Sequence, residues 1–186
     1  MENVNSAVRR LPASGSSLIV LAISCMLLTM SCFAEDVKQP NVAGAFYPDN
    51  PVVLSEMIDK CLQDANPQTL EGEIFALISP HAGYDFSGSV AAYGYKLIKN
   101  RGYKTVVIIG PSHYSGFYGI SVYPQGVFRT PLGDVLIDAE FTGKLIDATA
   151  NIKFIPEAFQ KEHSVEVQIP FLQKALTDFS AEGGSA

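Results

Sequence analysis

The residues best suited to chemistry are the three histidines, His81, His113 and His163, and each sits in an unusual local sequence. One apolar run ends Ile78-Ser79-Pro80-His81-Ala82-Gly83-Tyr84, and a second ends Ile109-Gly110-Pro111-Ser112-His113-Tyr114. Both leave through a proline and deliver a histidine within one or two residues. In open α/β sheets, ligands collect outside the carboxyl ends of the strands. Neighbouring strands lie about 4.8 Å apart, so two such imidazoles can converge on one ion. Imidazole suits zinc, copper, iron or nickel, and a two-histidine set needs at least one further ligand. A loop histidine taken singly is ordinarily a hydrogen-bonded surface residue. The repetition at two strand ends argues for a site.

The third histidine lies in Glu162-His163-Ser164-Val165-Glu166-Val167-Gln168-Ile169-Pro170-Phe171. Val165, Ile169, Leu172 and Leu176 recur at helical spacing, which makes Ser164 the expected N-cap. An alternating strand through Val165, Val167 and Ile169 is the competing reading. His163 is a candidate ligand, general base or partner that orients a ligand. The plain alternative is that Glu162 and His163 decorate a helix start. Glu162 or Asp85 would offer the carboxylate of a two-histidine, one-carboxylate set. Ser112 adjoins His113, but adjacent side chains on an extended segment point opposite ways, so they do not form an activated pair.

The elements that must position these groups alternate. Asn50-Pro51 reads as an N-cap followed by proline at the first helical position, with Leu54, Met57, Ile58, Cys61 and Leu62 at helical spacing behind it. Cys61 therefore reads as packing. Ile74-Phe75-Ala76-Leu77-Ile78-Ser79 and Thr105-Val106-Val107-Ile108-Ile109 read as strands buried on both faces. A helix is expected between them over residues 89–99, with Val90, Tyr93, Leu97 and Ile98 inward and Gly102 as its stop. Strand, helix and strand predict a parallel pair with a right-handed crossover. Further strands are expected over residues 119–123, 133–137 and 152–155, and a helix over 138–149. The fold class is α/β, a mostly parallel sheet with flanking helices.

Hydrophobic residues make up 47% of the 186-residue chain and charged residues 17%, which is globular composition. The net charge is -6 and no basic run is present, which excludes nucleic acid as a partner. Arg9 and Arg10, an uncharged run over residues 18–30, then Ala34 and Glu35-Asp36 have the order of a secretory leader. Residues 1–34 are thus expected to be a signal peptide and the protein exported, periplasmic or extracellular. Lipid attachment at Cys32 is the alternative.

Several segments now line up in series. Val42-Ala43-Gly44-Ala45-Phe46-Tyr47-Pro48, Pro80-His81-Ala82-Gly83-Tyr84, Ser87-Gly88, Gly110-Pro111-Ser112-His113, Thr130-Pro131-Leu132-Gly133 and Glu162-His163-Ser164-Val165-Glu166 resemble, in order and spacing, the Memo-like family, also called AmmeMemoRadiSam system protein B. The resemblance covers residues 39–176. It implies a fold similar to the class III extradiol dioxygenases, with His81 and His113 as ligands of iron or copper, His163 in or near the pocket as the catalytic candidate, and Phe46 and Tyr84 beside it. It also implies an oxidoreductase in which the metal activates oxygen, acting on a small molecule or peptide, with partners from the AmmeMemoRadiSam system. A non-catalytic metal carrier, a peptide-binding module or an inactive fragment are the alternatives.

The chain departs from that family in its second half. The family's late cysteine ligand and Asp-Phe-x-His segment have no counterpart. Residues 39–179 are expected to be the N-terminal half of a C-terminally truncated Memo-like domain, with 180–186 an unrelated tail and an apolar sheet edge left open.

Overall fold

The computed structural model describes residues 36–176 and 179–185, which belong to one unit spanning 35–186. The leader and the Cys32 alternative lie outside the described residues. Among the described residues, no helix is long and apolar enough to cross a membrane.

Helix α1, Pro51–Asp64, begins where Asn50 and Pro51 require it. Asn50 Oδ1 accepts from the backbone N–H groups of Val52 and Val53, at 3.0 and 3.2 Å. Replacing Asn50 by alanine should therefore cost about 1 kcal/mol, read as a lowered denaturation midpoint. Leu54, Ile58 and Leu62 form the buried stripe of α1.

Helix α2 runs over Tyr84–Ile98, starting five residues before the expected residue 89. Its buried face is Ser87, Gly88, Ala91, Ala92, Tyr95 and Ile98, while Val90 and Tyr93 are exposed. The expected inward face is thus corrected at both Val90 and Tyr93. Small residues let α1 approach closely, and a Cβ on Gly88 would stand 3.6 Å from Cys61 Sγ. Cys61 is a free thiol packed in this seam, and burial raises its pKa. The residue that turns the chain out of α2 is Asn100, at φ 61°, rather than Gly102.

Among the described residues, seven strands form two small mixed sheets. In the first, β1 (Val37–Lys38) pairs parallel with β4 (Val127–Thr130), which makes an antiparallel hairpin with β5 (Gly133–Leu136). In the second the order is β2 (Thr105–Gly110), β7 (Ser180–Ser185), β3 (Ile120–Val122) and β6 (Ile152–Lys153). There β2–β7 and β3–β6 are parallel and β3–β7 antiparallel. Helix α3, Ala139–Ala148, is capped by Asp138. Helix α4, Ile169–Ala175, follows a 3-10 turn at Glu166–Gln168.

Both strands expected to be buried on two faces are corrected here. The run Ile74-Phe75-Ala76-Leu77-Ile78-Ser79 joins no ladder, so the parallel pair with β2 is not made. Its Phe75 and Ile78 are exposed; Leu77 packs over Gly94 of α2, and the Tyr103 hydroxyl donates to the Ile74 carbonyl. An apolar run specifies burial on both faces only where a sheet edge and two packing layers receive it. The ladder partner of β2 is β7, built from the segment read as an unrelated tail. Strand β2 itself buries Ile108 but leaves Val107 and Ile109 exposed, so it is covered on one face.

The core lies between the helices. Phe171 of α4 is 1% exposed, stacks on Tyr95 with centroids 5.0 Å apart and also contacts Tyr84. Leu54 and Ile58 of α1 close the other side of the same apolar cluster.

Candidate metal centre

The segment from Glu162 to Gln168 is buried throughout, and it gathers three loops. Ser164 does not cap a helix as expected. Its hydroxyl donates instead to the Pro111 carbonyl at 3.1 Å, which brings the exit of β2 against this segment. Gly110 permits that approach, because a Cβ there would collide with Ser164 Oγ. The Glu166 carboxylate accepts from the backbone N–H groups of Asn41 and Val42 and from the Tyr47 hydroxyl. It thereby fixes the loop that carries Phe46. The Gln168 side-chain amide donates to the carbonyl of Pro80, the residue before His81.

The result is a cluster of three imidazoles. Ring centroids of His81 and His113 are 5.2 Å apart, those of His81 and His163 6.1 Å, and those of His113 and His163 4.7 Å. Phe46 meets His163 edge-on at 4.6 Å, and Tyr114 stands 6.2 Å from His113. Tyr84 lies elsewhere: it is in the core beneath, packed on Tyr47 and Phe171, with its hydroxyl donating to the Val167 carbonyl. Asp85 is exposed on the first turn of α2, so Glu162 is the carboxylate at the histidines.

Glu162 is the best-satisfied group of the site. Its Oε1 accepts from the N–H groups of His163 and Ser164, each at 2.8 Å, and its Oε2 from the N–H of His113 at 2.6 Å. The His113 imidazole adds a contact from Nδ1 at 2.9 and 3.1 Å. Burial pushes the Glu162 pKa up, but the His113 and Ser164 N–H groups, the His113 ring and the His163 N–H outweigh it and bring it down to about 2. An ionised carboxylate only accepts, so His113 Nδ1 must carry the proton, and Nε2 is the nitrogen left for an ion.

His163 is 8% exposed, and among the described residues its Nδ1 has no hydrogen-bond partner; Glu162 Oε1 is 3.9 Å away. Burial lowers the pKa of His163; Glu162 opposes this, and the imidazoles of His113 and His81 add to it. A buried nitrogen left unpaired is costly, so this cluster gains from an added ion or polar ligand.

One donor atom from each of His113, Glu162 and His163 lies within 4.8 Å of the others. The His113 and His163 rings are stacked, with their planes 14° apart, and the His81 ring is inclined to both, at 59° and 60°. Glu162 has its oxygens engaged by four donors and acts by holding His113.

The family model described as "Memo-like protein" matches residues 38–181. The chain belongs to the Memo-like family. A MEMO1 family protein of Methanopyrus kandleri is 41% identical over 144 residues, 73% of this chain and 51% of the relative. One from Pyrococcus abyssi is 40% identical over 148 residues, 77% and 50% of the two chains, and one from Thermotoga neapolitana 38% over 154 residues, 77% and 56%. The chain spans about half the length of the curated relatives it matches. For this Memo-like chain, the sequence pointed to the three histidines but not to Glu166 or Gln168. Their polar character inside a stretch of apolar residues was the available signal.

Proposed function

We propose that this Memo-like protein binds iron or copper between His81 and His113, on an extradiol-dioxygenase-like framework, and serves as a metal-dependent oxidoreductase. The observation that carries the reading is the meeting of three imidazoles with a carboxylate that fixes the protonated nitrogen of one of them. When bound, the metal would supply redox chemistry toward oxygen. Glu162 keeps His113 in the tautomer that offers Nε2. His163, whose basicity burial lowers, is placed to take a proton from a substrate held beside the pair, and Phe46 restricts its ring edge-on. The half-exposed His113 side leaves an approach from solvent.

The test is metal content by elemental analysis of the wild type and of His81→Ala, His113→Ala and His163→Ala. About one iron or copper per chain is expected in the wild type. It should fall at least tenfold in the first two variants and much less in the third. Metal that ignores His81 and His113 would overturn the assignment. Loss only in the His113 and His163 variants would move the site to the His113–Glu162–His163 group. Stoichiometric copper without oxygen-dependent turnover of a catechol would favour a metal carrier over an enzyme.

A further inference from the structure

The three histidines are not held alike. His113 is gripped through its own ring by Glu162. Among the described residues, the His81 ring has only its contacts with the other two imidazoles and no side-chain hydrogen bond. Its position therefore depends on its backbone, which the run at 74–79 does not fix through a ladder. Ser87 of α2 donates to the Ala82 carbonyl just after His81, at 2.9 Å, and Gln168 reaches the carbonyl just before it.

We infer that Gln168 is a positioning residue for His81, tying the loop that carries it to the segment that carries His163. Its Nε2 donates to the Pro80 carbonyl at 3.1 Å and to the Ser164 carbonyl at 3.3 Å, bridging the two segments. Its Oε1 accepts from the Tyr95 hydroxyl, which fixes which way the amide faces. Gln168 is 8% exposed and Tyr95 4%, so water competes little for these bonds. Tyr95 in turn is stacked on Phe171, so the chain of contacts from core to His81 is continuous. A buried amide with all three bonds made orients its partners. The peptide plane between Pro80 and His81 is set by a carbonyl bonded to Gln168, and the imidazole inherits that setting.

The inference rests on His81 being a metal ligand, and its test separates the two ideas. Gln168→Glu keeps the shape and the acceptor for Tyr95 but removes both donors; Gln168→Met removes all three bonds and guards against a charge effect. Histidine ring signals would be followed by carbon–proton NMR in the presence of chelator, together with cobalt(II) titration of the same proteins. The His81 signal should shift or broaden in both variants while His113, held by Glu162, stays put. Cobalt affinity should fall roughly 10–100-fold, the usual effect of removing a group that orients a ligand. An unmoved His81 signal, or three signals that move together, would overturn the role of Gln168. Wild-type protein that takes up no cobalt would defeat the metal reading alone, because the NMR comparison still decides what Gln168 does.

Discussion

Glu162→Gln is expected to lower the stability of the metal-free protein by about 2–3 kcal/mol at neutral pH and to flatten its acid response. The sign follows from the direction of the shift. The ordinary carboxyl value of 4.5 is brought to about 2 in the folded chain, so the ionised form is favoured by folding. That stability is fully present above about pH 5 and is lost as pH falls through about 2. The wild type should therefore weaken steadily across this window. The glutamine variant should be weaker at pH 7 and show a shallower decline, since its side chain does not titrate. The cost arises because the new NH2 group would face N–H donors of His113, His163 and Ser164 where an oxygen accepted before. Urea unfolding at pH 7, 4 and 3 with chelator present measures both effects. Parallel slopes for the two proteins would remove Glu162 from the acid response. The same substitution should reduce metal affinity, because an amide can hold His113 Nδ1 unprotonated or let the ring turn.

Phe171→Ala should cost about 3–5 kcal/mol, the largest single effect expected of any core residue here. The ring is 1% exposed and lies against Tyr95 and Tyr84, the phenols whose hydroxyls hold Gln168 and the Val167 carbonyl. Its removal opens a cavity under the turn at Glu166–Gln168, so it should also loosen the histidine cluster above. Val90→Ala, on the exposed face of α2, should change stability by no more than about 0.5 kcal/mol. Denaturant midpoints of the two variants compare them directly. Comparable losses would mean that α2 presents its other face to the core.

Val90 marks the boundary of what could be read without the fold. Large apolar residues on α2 suggested one face, yet the helix buries Ser87, Gly88, Ala91 and Ala92 beside Tyr84, Tyr95 and Ile98, and Gly88 lies close to Cys61 of α1. The run at 74–79 shows the same limit. Its composition is that of a buried strand, but strand pairing requires a free edge in register, and that is a property of the rest of the sheet. Strand β4 is not marked in the sequence, because Gly126 to Thr130 has too little alternation to stand out from its neighbours, and its pairing with β5 supplies the reason for it.

The sequence by itself determined the start of α1 at Asn50-Pro51, the proline exits that carry His81 and His113, and membership of the Memo-like family. Each is local chemistry: a side chain bonding its own neighbours, a fixed φ, or a string of residues in order. The tertiary structure alone decided that His163 lies against His113, that Glu162 binds the His113 loop as well as the N–H groups beside it, and that Glu166 and Gln168 anchor two other loops. Those contacts join residues roughly 50 to 125 positions apart. No periodicity records them, because they exist only once the buried segment at 162–168 has drawn its donors and acceptors from the loops around it.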